Sequence, residues 1–167
     1  YDPVNLLGRD VFGATLGIVG MGRIGRMVAR RARGFDMTVI YHNRRPLGAE
    51  EERELGAQWA TLESVLERAD YVSVNTPLTD ATRNLIDASA LSRMRPDAYL
   101  INTARGGVVD HDALYRALTE GWIAGAAVDV TEPEPLPRDH PLLGLGNLLL
   151  TPHLGTSTRD TRQLMGE

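Results

Sequence analysis

Three glycines, Gly20, Gly22 and Gly25, follow the apolar run Leu16-Gly17-Ile18-Val19. Met27, Val28, Ala29 and Ala32 come after them at helical spacing. A strand, a glycine turn and a helix in that order make a cradle for a pyrophosphate. Gly20 lets the chain turn, Gly22 lets an anion approach the backbone, and Gly25 lets the helix pack on the strand. The helix N-terminus adds free N–H groups and the positive end of its dipole. Farther along stand a guanidinium at Arg105, a carboxylate at Asp129 and an imidazole at His153. A guanidinium grips a carboxylate through paired donors, and an imidazole gives and recovers a proton near neutrality.

These residues need elements to carry them. Apolar runs predict strands at Leu16–Val19, Met37–Tyr41, Gln58–Ala60, Tyr71–Val74, Ala98–Asn102, Ile123–Val128 and Leu148–Leu150. Helical patterns lie between them: after the glycine turn, at Glu50–Leu55, at Leu62–Ala69 behind Thr61 as N-cap, in two short pieces over Ala81–Leu91, and at Asp110–Glu120. Strands alternating with helices predict an α/β, Rossmann-type doubly wound parallel sheet. Ligands of such sheets bind beyond the carboxyl ends of the strands. The glycine turn with Arg23 and Ile24, then Asn43 to Arg45, Thr76-Pro77, Thr103 to Arg105, Asp129 and His153 all fall at such ends.

Composition narrows the partners. The 167 residues carry 43% hydrophobic and 24% charged side chains, enough for one core, and a net charge of −4 without a basic run argues against nucleic acid. No apolar stretch approaches the roughly 18–20 residues of a membrane span. The chain lacks cysteine, which removes disulfides and thiolate metal sites and fits a reducing compartment; the cytoplasm is the expected location, and no metal site is expected. Tyr1 in place of methionine, and a helix pattern cut off at the end, predict a piece of a longer protein. Residues 1–13 read as a connector from another domain, 14–157 as a dinucleotide-binding domain, and 158–167 as the opening of a helix.

An NAD site ordinarily has an acid about 20 residues past the fingerprint, on the adenosine ribose. Here His42 and Asn43 end the second strand, Arg44 and Arg45 follow, and no acid appears until Glu50. Guanidinium groups hold a 2′-phosphate through charge-assisted bonds. NADP(H) is therefore the expected cofactor, with NAD(H) as the second candidate.

Together, Thr15 to Gly25, Asn102-Thr103-Ala104-Arg105-Gly106-Gly107, Asp129 to Pro135 and Thr151-Pro152-His153-Leu154-Gly155 resemble the D-isomer-specific 2-hydroxyacid dehydrogenases, with four motifs in order over the whole chain. His42 to Pro46 and Glu132 to Pro137 look most like the glyoxylate/hydroxypyruvate reductases of that family, which commonly use NADPH. Leu154 and Thr156 depart mildly from the isoleucine and serine often found there. The resemblance implies hydride transfer between a nicotinamide and a small 2-keto or 2-hydroxy acid. It assigns Arg105 to the substrate carboxylate, His153 to the proton and Glu134 to orienting His153. It places Asp129 on the nicotinamide carboxamide. Related formate dehydrogenases carry glutamine where Glu134 stands, so the glutamate favours hydroxyacid chemistry. The resemblance also implies a homodimer, and a substrate domain built from flanking segments, so that this fragment alone is expected to be inactive. A nucleotide-sensing interaction module of the same fold, like the C-terminal-binding corepressors, is the alternative. Pro77 is a candidate to pack on adenine. His42, His111 and His140 carry no assigned chemistry and read as lying in a loop, near a helix start and in a proline loop, Asp110 as an N-cap, and Trp59 and Trp122 as core or interface.

Overall fold

The computed structural model describes residues 8–166. Its strands are β1 (Thr15–Val19), β2 (Thr38–His42), β3 (Ala57–Trp59), β4 (Tyr71–Val74), β5 (Tyr99–Asn102), β6 (Gly125–Val128) and β7 (Leu148–Leu150). The helices are α1 (Arg23–Ala32), α2 (Ala49–Leu55), α3 (Leu62–Arg68), α4 (Ala88–Arg93), α5 (His111–Thr119) and α6 (Arg159–Met165). The strands form one sheet in the order β3-β2-β1-β4-β5-β6-β7, and each neighbouring pair is parallel. The chain winds outward from β1 in one direction and from β4 in the other, so the switch point lies between these two strands. This is the doubly wound α/β sheet that the alternating pattern predicts.

Alternation along each strand divides the core in two. Leu16, Ile18, Val39 and Tyr41 pack with Ala29, Ala32 and Leu55 on the side of α1 and α2. Val19, Ile40, Val72, Val74, Leu100 and Val128 pack with Val65, Leu66, Leu91 and Leu114 on the side of α3, α4 and α5. Gly17 faces α3, where a Cβ would lie 2.7 Å from the Val65 side chain.

Most element ends fall within two residues of the sequence pattern. Of the connector read over residues 1–13, residues 1–7 lie outside the described residues; Arg9 is bonded to Asp70 at 2.7 Å. The real departure is Ala81–Leu91, where two helical pieces are expected and only α4 forms. Thr82 closes a turn instead, its hydroxyl donating to the Pro77 carbonyl at 2.6 Å and accepting from Thr79 N–H at 2.8 Å. The Asn84 N–H then donates to Gly107 O at 2.9 Å, a partner from another loop, with Asn84 at φ +52°. A long-range bond outcompetes the local helix here. His42, read as part of a loop, ends β2 and lies 3.1 Å from the Ala60 carbonyl through Nδ1. Among the described residues no helix is long and apolar enough to cross a membrane.

Candidate active site

Strand register levels the carboxyl edge. His42, Val19, Val74, Asn102, Val128 and Leu150 are partners in one row across six strands. Every residue just past this row therefore stands on the same rim.

At the centre of the rim the three glycines do three different things. Gly20 has φ +100°, and a Cβ there would sit 2.7 Å from Thr76 Oγ1. At Gly25 a Cβ would come within 2.3 Å of Gly20 O. Gly22 has nothing within 4 Å of its would-be Cβ. Packing thus demands two of the glycines and leaves the third facing open space, as a site for an approaching ligand requires. Gly22 also caps α1 with no side-chain hydrogen bond, and the first turn holds no acid. The helix N-terminus therefore keeps its affinity for an anion. Arg23, Ile24 and Pro77 are exposed beside it, whereas Thr76 is buried with its hydroxyl 3.3 Å from Val19 O.

The loop after β2 is pinned from within. Asn43 Oδ1 accepts from Met21 N–H at 2.8 Å, and Asn43 O accepts from Trp59 Nε1 at 3.0 Å. Asn43, expected to face the cofactor, thus spends its side-chain oxygen on the glycine turn. Leu47 N–H donates to the Tyr41 hydroxyl at 2.6 Å, and that hydroxyl donates to Glu52 Oε1 at 2.8 Å. Burial, then the neighbouring Glu52, push the Tyr41 phenol up to about 12. Arg44 and Arg45 are exposed and make no ion pair with another described residue. The acids beyond them are engaged elsewhere: Glu50 with Arg53 at 3.6 Å, Glu51 with Arg26 at 2.8 Å, and Glu52 with Tyr41.

On the other half of the rim, Asn102 builds the arginine turn. It is fully buried; its amide donates to Arg105 O at 3.0 Å and its oxygen accepts from Ala104 N–H at 3.0 Å. Arg105 itself is exposed, with Nη1 donating to Ala104 O at 2.6 Å, and Thr103 is exposed beside it. His153 hangs from β7, two strands away, so about 10 Å of rim separates the two strand ends. Its Nδ1 lies 2.6 Å from Glu134 Oε1, and both side chains are nearly half exposed. A cleft of about 350 Å³ opens beside this pair, lined in part by Asp129, Thr131, Leu136 and Leu150.

Asp129 holds the histidine loop. Its carboxylate accepts from Thr151 Oγ1 at 2.5 Å, Leu154 N–H at 2.7 Å and Gly155 N–H at 2.8 Å, while its carbonyl accepts from His153 N–H at 2.9 Å. His153 sits at φ +55°, a conformation uncommon for a residue with a side chain, and these bonds fix it there. Burial raises the Asp129 carboxyl, yet the Thr151 hydroxyl, the two N–H groups and the His153 charge together hold it below the usual range.

Sequence reasoning did not single out Asn102, Thr151 or the pair Gly106-Gly107 as builders. A Cβ at Gly106 would lie 2.0 Å from the Thr131 carbonyl carbon, so the segment leading to Glu134 rests on the arginine turn backbone to backbone. The doubled glycine beside Arg105 was the available signal. Of the histidines left aside, His111 and His140 meet edge to face at 6.1 Å. Asp110 caps α5, accepting from Ala113 N–H at 3.0 Å.

Comparison with known proteins gives the family. The family profile of the D-isomer specific 2-hydroxyacid dehydrogenase, NAD binding domain, matches residues 1–155. A glyoxylate reductase of Korarchaeum cryptofilum is 52% identical over 168 residues, covering 100% of this chain and 50% of that protein. The TT0316 protein from Thermus thermophilus superposes with a TM-score of 0.92 at 48% identity, over 100% of this chain and 51% of that one. A glyoxylate reductase from Paecilomyes thermophila superposes with a TM-score of 0.90 at 43% identity, over 98% of this chain and 49% of that one. The chain spans about half the length of the curated relatives it matches. From its glycine turn to its histidine loop, this chain belongs to the D-isomer specific 2-hydroxyacid dehydrogenase family, as the NAD binding domain.

Proposed function

We propose that the full-length protein reduces a small 2-keto acid, with glyoxylate or hydroxypyruvate as the substrates that fit best, and that it prefers NADP(H) over NAD(H). The observation that carries the reading is the His153–Glu134 contact of 2.6 Å, on the same rim as the arginine turn and the glycine turn. Its relatives named glyoxylate reductase support the substrate class.

The residues of the chain divide the work. The open backbone at Gly22, with the uncapped start of α1, would hold the pyrophosphate, and Arg44 and Arg45 would hold the 2′-phosphate. When bound, the dihydronicotinamide supplies a hydride to the keto carbon. Arg105 binds the substrate carboxylate through its paired N–H donors. His153 gives a proton from Nε2 to the carbonyl oxygen, since Nδ1 is engaged by Glu134. Glu134 keeps the ring in that orientation, as a carboxylate does beside a catalytic imidazole. Asp129, whose Oδ2 accepts a single hydrogen bond within the fold, retains acceptor capacity for the nicotinamide carboxamide. The substrate's side chain would meet residues outside this chain, and the family resemblance supports a homodimer.

Full-length protein mixed with glyoxylate, hydroxypyruvate and each reduced nucleotide, followed at the nicotinamide absorbance band, tests the reading. Turnover with higher kcat/KM for NADPH is expected. Absence of turnover with any 2-keto acid would overturn the activity, and equal or better use of NADH would overturn the preference. Light scattering on the same sample tests the dimer.

A further inference from the structure

The loops after β4, β5 and β6 are stacked on one another by residues outside the roles given above. Arg83, in the first loop, donates from Nη1 to both carboxylate oxygens of Glu132, in the third, at 2.9 and 3.0 Å. The second loop packs against this pair. A Cβ on Gly107 would lie 1.8 Å from Glu132 Oε2 and 3.1 Å from Arg83 Nη1. Gly107 O accepts from Asn84 N–H at 2.9 Å, adjacent to Arg83. The Gly106 position is filled by the backbone of Thr131 and Glu132. Beyond Glu132 the chain is tied again: the buried Thr131 hydroxyl donates to Pro133 O at 2.9 Å, and Glu134 meets His153 one residue later.

We infer that Glu132 is a positioning residue for the His153–Glu134 pair, acting through its bond to Arg83 over Gly107. The bond presses the Glu134 segment onto the arginine turn. It thereby keeps the group that binds the carboxylate and the group that orients the proton donor at a constant offset. Productive geometry in such sites tolerates displacements of only about half an ångström. An exposed ion pair adds little to stability, so its worth here lies in placement. This inference rests on the reductase reading for its kinetic arm and on geometry alone for its spectroscopic arm.

The experiment uses full-length protein carrying Glu132→Ala, Glu132→Gln, Arg83→Met, or Arg83→Met with Glu132→Ala. Glu132→Ala and Arg83→Met should each lower kcat for keto acid reduction by about fivefold, with KM for the acid and Kd for the nucleotide moving by less than about twofold. The double variant should fall no further than either single, because the two residues act as one unit. Glu132→Gln, which can still accept from Arg83, should stay near wild type. In parallel, the low-field proton resonance of the His153 Nδ1–H bonded to Glu134 should shift or broaden in Glu132→Ala and in Arg83→Met. An unchanged kcat in both singles, multiplicative losses in the double, or a Glu132→Gln loss as large as that of Glu132→Ala would overturn the inference. An unchanged resonance would do the same. Wild type serves as the control: if it turns over no 2-keto acid the reductase reading fails, and the resonance in wild type, Glu132→Ala and Arg83→Met still decides whether Glu132 positions the pair.

Discussion

Asn43 Oδ1 accepts the Met21 N–H at 2.8 Å, so the end of the second strand holds down the glycine turn that follows the first. That bond turns the asparagine inward and leaves Arg44 and Arg45 as exposed cations of the loop. Replacing both arginines by alanine should weaken NADPH binding by at least about ten- to a hundredfold, the worth of one charge-assisted bond of about 1.5–3 kcal/mol. NADH binding should change little. Titrations of full-length protein with both nucleotides check this, and an equal loss for the two would remove the arginines from the 2′-phosphate.

His153→Ala should cut turnover by about 10²- to 10⁴-fold, the usual contribution of a general acid. Glu134→Gln should lower kcat while leaving KM for the keto acid near its original value, because the glutamate touches the imidazole and not the substrate. Steady-state kinetics on both variants decide the point. A near-normal rate for His153→Ala would place the proton donor elsewhere.

Gly22 and Gly25 should fail in opposite ways. In Gly25→Ala the new Cβ meets Gly20 O at 2.3 Å, so the helix must move off the strand. Overpacking of this kind costs about 1–3 kcal/mol and should lower Tm by several degrees. Gly22→Ala meets nothing within 4 Å and should melt like wild type while binding nucleotide more weakly. Thermal melts with and without nucleotide separate the two; a large Tm loss in Gly22→Ala would contradict an open ligand face.

Asp129 links acid stability to the histidine loop. Its carboxyl lies below the ordinary value in the folded state, so the folded form binds its proton less readily than the unfolded form does. The stabilisation is complete above the unfolded value of about 3.9 and is lost as pH falls through the lower folded value. Asp129→Asn should therefore reduce Tm at neutral pH, and the gap from wild type should close progressively in acid. Melting curves across that range check it. A gap that stays constant with pH would mean that the charge of Asp129 contributes nothing.

The amino-acid sequence alone determined the parts of this protein that depend on near neighbours. Alternating apolar runs specified the parallel sheet, the glycines after β1 specified the turn, and Thr61 and Asp110 specified helix starts by bonding N–H groups three residues away. The rim residues were legible because a parallel sheet puts every strand's carboxyl end on one side. Only the tertiary structure decided which loops abut. Strand order brought Gly107 against the bonded pair Arg83 and Glu132, residues 49 positions apart. It turned Asn43 toward Met21, and it replaced the first helical piece after Ala81 with a bond from Asn84 to Gly107. A local pattern cannot encode such contacts, because their partners are chosen by which strands lie side by side.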